Sequence, residues 1–172
     1  RYSTRSSRKF MTRELIAFCA LLIVPTIALL AYSSVRKRRR MQEQQILPLV
    51  QAEEGDPFIT CLYVSTVFAS DPLVRIWARG LGPRGKAQLI LNSISLSIKR
   101  VGEEGFSIPA SEIETLSTSS ATIDKGVERN GLLGIHWTHS NQKLITQLRF
   151  SSGESHRKAI DTITTKLGVR FE

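Results

Sequence analysis

The stretch KAQLILNSISLSIK, residues 86–99, decides the fold class of this chain. Ala87, Leu89 and Leu91 alternate with Gln88 and Ile90. After a turn at Asn92-Ser93, Ile94, Leu96 and Ile98 alternate with Ser95, Ser97 and Lys99. Successive strand side chains point to opposite faces, so the stretch reads as a hairpin with one buried face.

Working outward, the same β character continues on both sides. Phe58 to Phe68 is rich in β-branched and aromatic residues, Asp71-Pro72 marks a turn, and Leu73 to Ala78 reads as a second short strand. Gly80, Gly82, Pro83 and Gly85 close it. Beyond the hairpin, Gly102 to Gly105 turn the chain into Phe106–Pro109. Further strands follow at Ile113–Leu116 and Leu132–Thr138, with a loop around Asp124 to Gly131 between them. Asn141-Gln142 then turns the chain into Leu144–Phe150. Residues 152–167 change period. Ile160, Ile163 and Leu167 fall on one helical face, Ser151 and Glu154 have capping-box spacing, and Gly168 supplies the stop. About seven short strands and one amphipathic helix predict a mainly β domain, a small barrel or bent sheet closed by that helix.

The N-terminal part is of another kind. LIAFCALLIVPTIALLAY, residues 15–32, carries no charge, and as a helix it would cover about 27 Å. Arg36, Lys37, Arg38, Arg39 and Arg40 follow as a membrane-flanking, stop-transfer pattern. The expected organisation is therefore a basic tail at 1–13, a transmembrane helix at 14–35, a basic segment and linker at 36–57, and the β domain at 58–172. Pro25 is expected to bend the span.

Charge follows this division. Residues 1–40 hold ten Lys/Arg and one acid, whereas residues 41–172 hold fourteen of each sign. A neutral domain has no long-range attraction for phosphate backbones, which argues against nucleic-acid binding. The dense cations after the span favour a cytoplasmic domain at the cell membrane. The Arg- and Ser-rich, acid-free first ten residues offer the mitochondrial inner membrane as the alternative. Cys19 and Cys61 read as free thiols, because a bridge would have to join the apolar span to the domain.

Leu62-Tyr63-Val64-Ser65-Thr66, Arg75, Gly80-Leu81-Gly82-Pro83-Arg84, Ala87 and Leu89 stand in an order and spacing that resembles a known family. Ile108-Pro109-Ala110, Lys125-Gly126-Val127, Gly131-Leu132, Trp137, Thr146 and Leu148-Arg149 continue the likeness. The family is that of actinobacterial single-pass membrane proteins with a pleckstrin-homology-like (PH-like) domain, often loosely labelled transporter or export proteins. The resemblance covers roughly residues 60–168 and the preceding anchor. It implies a seven-stranded barrel with a capping helix, a cytoplasmic face and no assigned chemistry. The longer, basic N-terminal tail departs from the family's usual form.

No catalytic, cofactor or metal constellation stands out. His136 and His139 fall on opposite faces of a strand, and His156 lies apart from both. The Gly80–Gly85 loop lacks the Lys-Ser/Thr ending of a phosphate loop and reads as a tight β-connection. Arg84, Lys86, Lys99 and Arg100 are the headgroup or partner candidates, with ordinary solvent-facing positions as the simpler reading. Trp77 is the interface candidate, and Trp137 is expected in the core with Leu133 and Ile135. The expected function is non-enzymatic: an adaptor or accessory subunit of a membrane assembly, contacting the lipid bilayer and other integral membrane subunits, with no small-molecule substrate. A lipid-headgroup or export-related binding module is the alternative.

Overall fold

A computed structural model describes the backbone of residues 4–119 and 131–172. It describes the side chains of residues 22–118, except Arg38, and of residues 131–172. The Lys125-Gly126-Val127 loop and the side chains of Cys19 and Arg38 lie outside the described residues. The chain divides into two compact units, residues 1–40 and residues 41–172.

Helix α1 runs Thr4–Gln45, 42 residues, straight through the basic cluster. The expected transmembrane helix at 14–35 is corrected here: among the described residues no helix is long and apolar enough to cross a membrane. The uncharged run that suggested the span lies within a longer helix that carries charged residues on both sides of it. It is also diluted by Pro25, Thr26, Tyr32, Ser33 and Ser34. The Thr26 hydroxyl donates to the Leu22 carbonyl at 2.7 Å and the Ser33 hydroxyl to the Leu30 carbonyl at 2.8 Å. The membrane and single-pass readings built on this span are withdrawn with it.

The second unit is a sheet of ten strands: β1 (Val50–Gln51), β2 (Ile59–Phe68), β3 (Asp71–Arg75), β4 (Gly85–Leu91), β5 (Ser95–Arg100), β6 (Phe106–Pro109), β7 (Ile113–Ser119), β8 (Leu132–His139), β9 (Gln142–Arg149) and β10 (Arg170–Phe171). Their order is β1-β6-β5-β4-β2-β9-β8-β7-β10, with β3 paired to β2. Strands β2 to β9 each overlap a strand expected from the sequence, β3 overlapping Leu73–Ala78, whereas β1 and β10 were not expected. Among the described residues the ladder is one path with two ends, and β3 branches from it at β2. Helix α2 (Gly153–Leu167) sets Ala159 and Ile163 into the core.

Alternation decides the buried face as expected: Ala87, Leu89, Leu96 and Ile98 are all in the core. Boundaries differ locally, each for a physical reason. The β4–β5 loop includes Ile94, whose side chain is 70% exposed, because Asn92 N–H closes the turn onto the Ser95 carbonyl. The β8–β9 turn sits at Ser140-Asn141, one residue earlier than expected. Both have positive φ, the backbone hand that matches the twist of a two-residue hairpin. The cap of α2 is Ser152, whose hydroxyl accepts from Ser155 N–H at 3.1 Å, in place of Ser151 with Glu154. Gly168 ends α2 in the left-handed region, φ 66°, and its N–H reaches the Thr164 carbonyl.

The expected linker is not free. Ala52 N–H donates to the Gly105 carbonyl and Phe58 N–H to the Leu89 carbonyl. The Ser107 hydroxyl donates to the Gln51 carbonyl at 3.1 Å, and Glu53 N–H donates to Ser97 Oγ at 3.2 Å. This strap covers the outer face of β5 and β6, which is why Ser95, Ser97 and Ser107 are buried. The domain accordingly starts near Met41, earlier than residue 58.

Candidate functional site

Two surfaces collect the residues singled out in the sequence. The first lies between β3 and β4. Trp77 is 51% exposed, and Leu73 and Val74 on β3 are exposed as well. Its backbone is fixed: Trp77 N–H donates to Gln42 Oε1 at 2.9 Å, while Gln42 Nε2 donates to the Arg75 carbonyl at 3.3 Å. The ring is fixed as well. Arg75 places its guanidinium 5.9 Å from the indole centroid and donates to the Gly82 carbonyl at 3.2 Å. Gly82 sits so close that a Cβ there would lie 2.3 Å from the indole Cε3. Arg79 takes a left-handed conformation, φ 52°, and its guanidinium caps the end of α1 through the Ile46 and Glu43 carbonyls at 3.1 and 3.2 Å. Trp77 is thus a held, outward-facing aromatic.

The second surface is the outer face of β2, β4 and β9. Lys86 and Lys99 are exposed on it, since Lys99 pairs with Gln88 and Lys86 lies two residues before Gln88. Arg84 is exposed at the entry to β4. Arg100 does not join them. Its partner is Ala87, so it points into the core, only 5% exposed, with its guanidinium 4.9 Å from the Tyr63 ring and 5.6 Å from that of Phe106. It donates to the Gly80 carbonyl at 2.7 Å and the Glu104 carbonyl at 2.5 Å. Such a residue binds loops together. The sequence reading missed Arg149, which register places beside Leu62 on the same face as Lys86.

Arg36, Lys37, Arg39 and Arg40 are exposed on α1. Trp137 is buried with Leu133 and Ile135.

The titratable groups are placed structurally. Burial pushes the Cys61 thiol up to about 12, which keeps it neutral. Burial likewise raises Tyr63 to about 12. His136 and His156 are both held below the usual imidazole value by burial. His136 Nε2 meets Ser117 Oγ at 2.8 Å, and His139 Nδ1 meets Glu112 Oε2 at 3.1 Å. Among the described residues no cluster of three or more His, Cys, Asp or Glu is placed to hold a metal ion.

Residues 44–164 match the family described as bacterial PH domain-like. The match covers the β domain, and neither an actinobacterial source nor a membrane anchor comes with it. No curated protein matches the chain. A PH-like domain points to a protein-interaction or lipid-binding module. With more than half of its length matched, the chain belongs to the bacterial PH domain-like family.

Proposed function

We propose that this protein is a non-enzymatic adaptor whose PH-like domain docks onto another protein through Trp77. The observation that carries the reading is the held indole, 51% exposed while its backbone and ring are fixed by Gln42, Arg75 and Gly82. A pre-ordered aromatic loses little freedom on binding, and Trp is enriched among residues that dominate interfaces. The partner presents an apolar pocket for the indole. Native mass measurement of the protein isolated gently from its host tests this. The expected result is a discrete assembly heavier than one chain that Trp77→Ala reduces to the monomer. Isolation of the unaltered protein as a lone monomer would overturn it.

A further inference from the structure

A groove of about 630 Å³ opens on the outer face of the sheet where β2 and β4 meet the end of β9. Leu62 and Val101 give it apolar lining, and the core residue Phe150 and the neutral Cys61 thiol border it. Lys86 and Arg149 stand on either side of Leu62. The register pairs Leu62 with Lys86 across one ladder and with Arg149 across the other. Two ladder spacings separate their Cα atoms by roughly 10 Å, a span that two long cationic side chains close around a single anion. Among the described residues no carboxylate lines the groove. Among the described residues neither cation has an acidic partner, whereas Lys143 is paired with Glu114.

From this juxtaposition we infer that the groove binds a small amphiphilic anion, its carboxylate or phosphate-monoester head between Lys86 and Arg149 and its apolar body on Leu62 and Val101. A concave, mostly apolar site with a few placed polar groups and a volume of several hundred cubic ångströms is the usual form of a small-molecule site. The cations supply the orientation, because a guanidinium and an ammonium favour a charged head over a neutral one. None of the lining residues is Trp77, Leu73 or Val74, so this site stands or falls separately from the protein-docking surface.

The test is titration calorimetry of the full chain with dodecanoate, dodecyl phosphate, dodecanol and inorganic phosphate, each kept below micelle formation. One or both dodecyl anions should bind saturably at one site, and the tighter one identifies the head. Lys86→Gln and Arg149→Gln should each weaken that binding about tenfold, the worth of one charge-assisted hydrogen bond. Dodecanol and inorganic phosphate should bind at least about tenfold more weakly than the tighter anion. Both substitutions lie at non-core positions, and a thermal melt of each variant reports that the fold is kept. Should either variant unfold, Gln88→Glu replaces it; a carboxylate placed in the groove should repel the anion to the same degree. Unchanged binding in the folded variants, or dodecanol or free phosphate binding as tightly as the anionic amphiphile, would overturn the inference.

Discussion

Arg100 lies with its guanidinium 4.9 Å from the ring centroid of Tyr63, inside the domain. Desolvating a guanidinium is costly unless its donors are used. Here two of them tie the Gly80 and Glu104 carbonyls to β5 and the Tyr63 ring faces the cation, while Nε has no partner among the described residues. Arg100→Met keeps the apolar stem and leaves both carbonyls without this partner. The expected loss is about 2–3 kcal/mol, read as a lower urea midpoint with unchanged slope. A loss below about 0.5 kcal/mol would show that the guanidinium is dispensable.

A chain of hydroxyls crosses the core behind that cation. Tyr63 Oη donates to the Leu81 carbonyl at 2.7 Å, so Thr66 must donate to Tyr63 at 2.8 Å and Thr146 to Thr66 at 2.9 Å. Trp137 Nε1–H donates to Thr146 at 3.0 Å and completes a one-way series. Thr146→Val keeps the shape but orphans the indole N–H and the Thr66 oxygen. Urea unfolding should show a loss of about 2–4 kcal/mol from two unsatisfied buried groups. Tyr63→Phe, which leaves the buried Leu81 carbonyl without its donor, is expected to cost about 1–3 kcal/mol by the same measurement.

Gly82 leaves no room for a side chain under Trp77. Gly82→Ala should push the indole outward, at a cost of about 1–3 kcal/mol in packing strain. Acrylamide quenching of tryptophan emission should rise, because Trp137 stays buried and only Trp77 changes exposure. An unchanged quenching curve would mean that Trp77 is not held as described.

Stability should fall as the solution is acidified below the ordinary imidazole value of 6.5. Burial holds His156 and His136 below that value, so the unfolded chain takes up protons first and is favoured as pH drops. The stabilisation is present above 6.5 and is lost through the lower folded values. His156 stacks on Phe150 with centroids 5.6 Å apart, and its buried Nε2 has no hydrogen-bond partner among the described residues. His156→Phe should preserve the stack and flatten the drop in melting temperature between pH 7.5 and 5.5. A drop as steep as in the unaltered protein would remove His156 from this account.

The β domain was legible because its strands keep strict alternation: the Leu89 and Ile98 faces follow from period two alone. Arg100 obeys the same period, against its expected place among the surface cations. Leu96 and Ile98 place it on the buried face, but its charge and its neighbour Lys99 suggested solvent. The strap was not legible, since nothing local to Gln51–Glu53 shows that Ser97 and Ser107 wait 44 to 54 residues on. Arg149 escaped for the same reason, as its pairing with Leu62 is long-range. The N-terminal reading erred in the other direction. An uncharged run flanked by cations suggests a span, whereas α1 continues through the cationic cluster and its described part includes Pro25, Thr26, Ser33 and Ser34.

The most direct test of the docking account places a photo-crosslinking amino acid at position 77 of the full chain in its host cells, with the exposed Ile94 position as control. The account expects one adduct of discrete mass from position 77 and none from position 94. No adduct from position 77, or the same adducts from both positions, would contradict it.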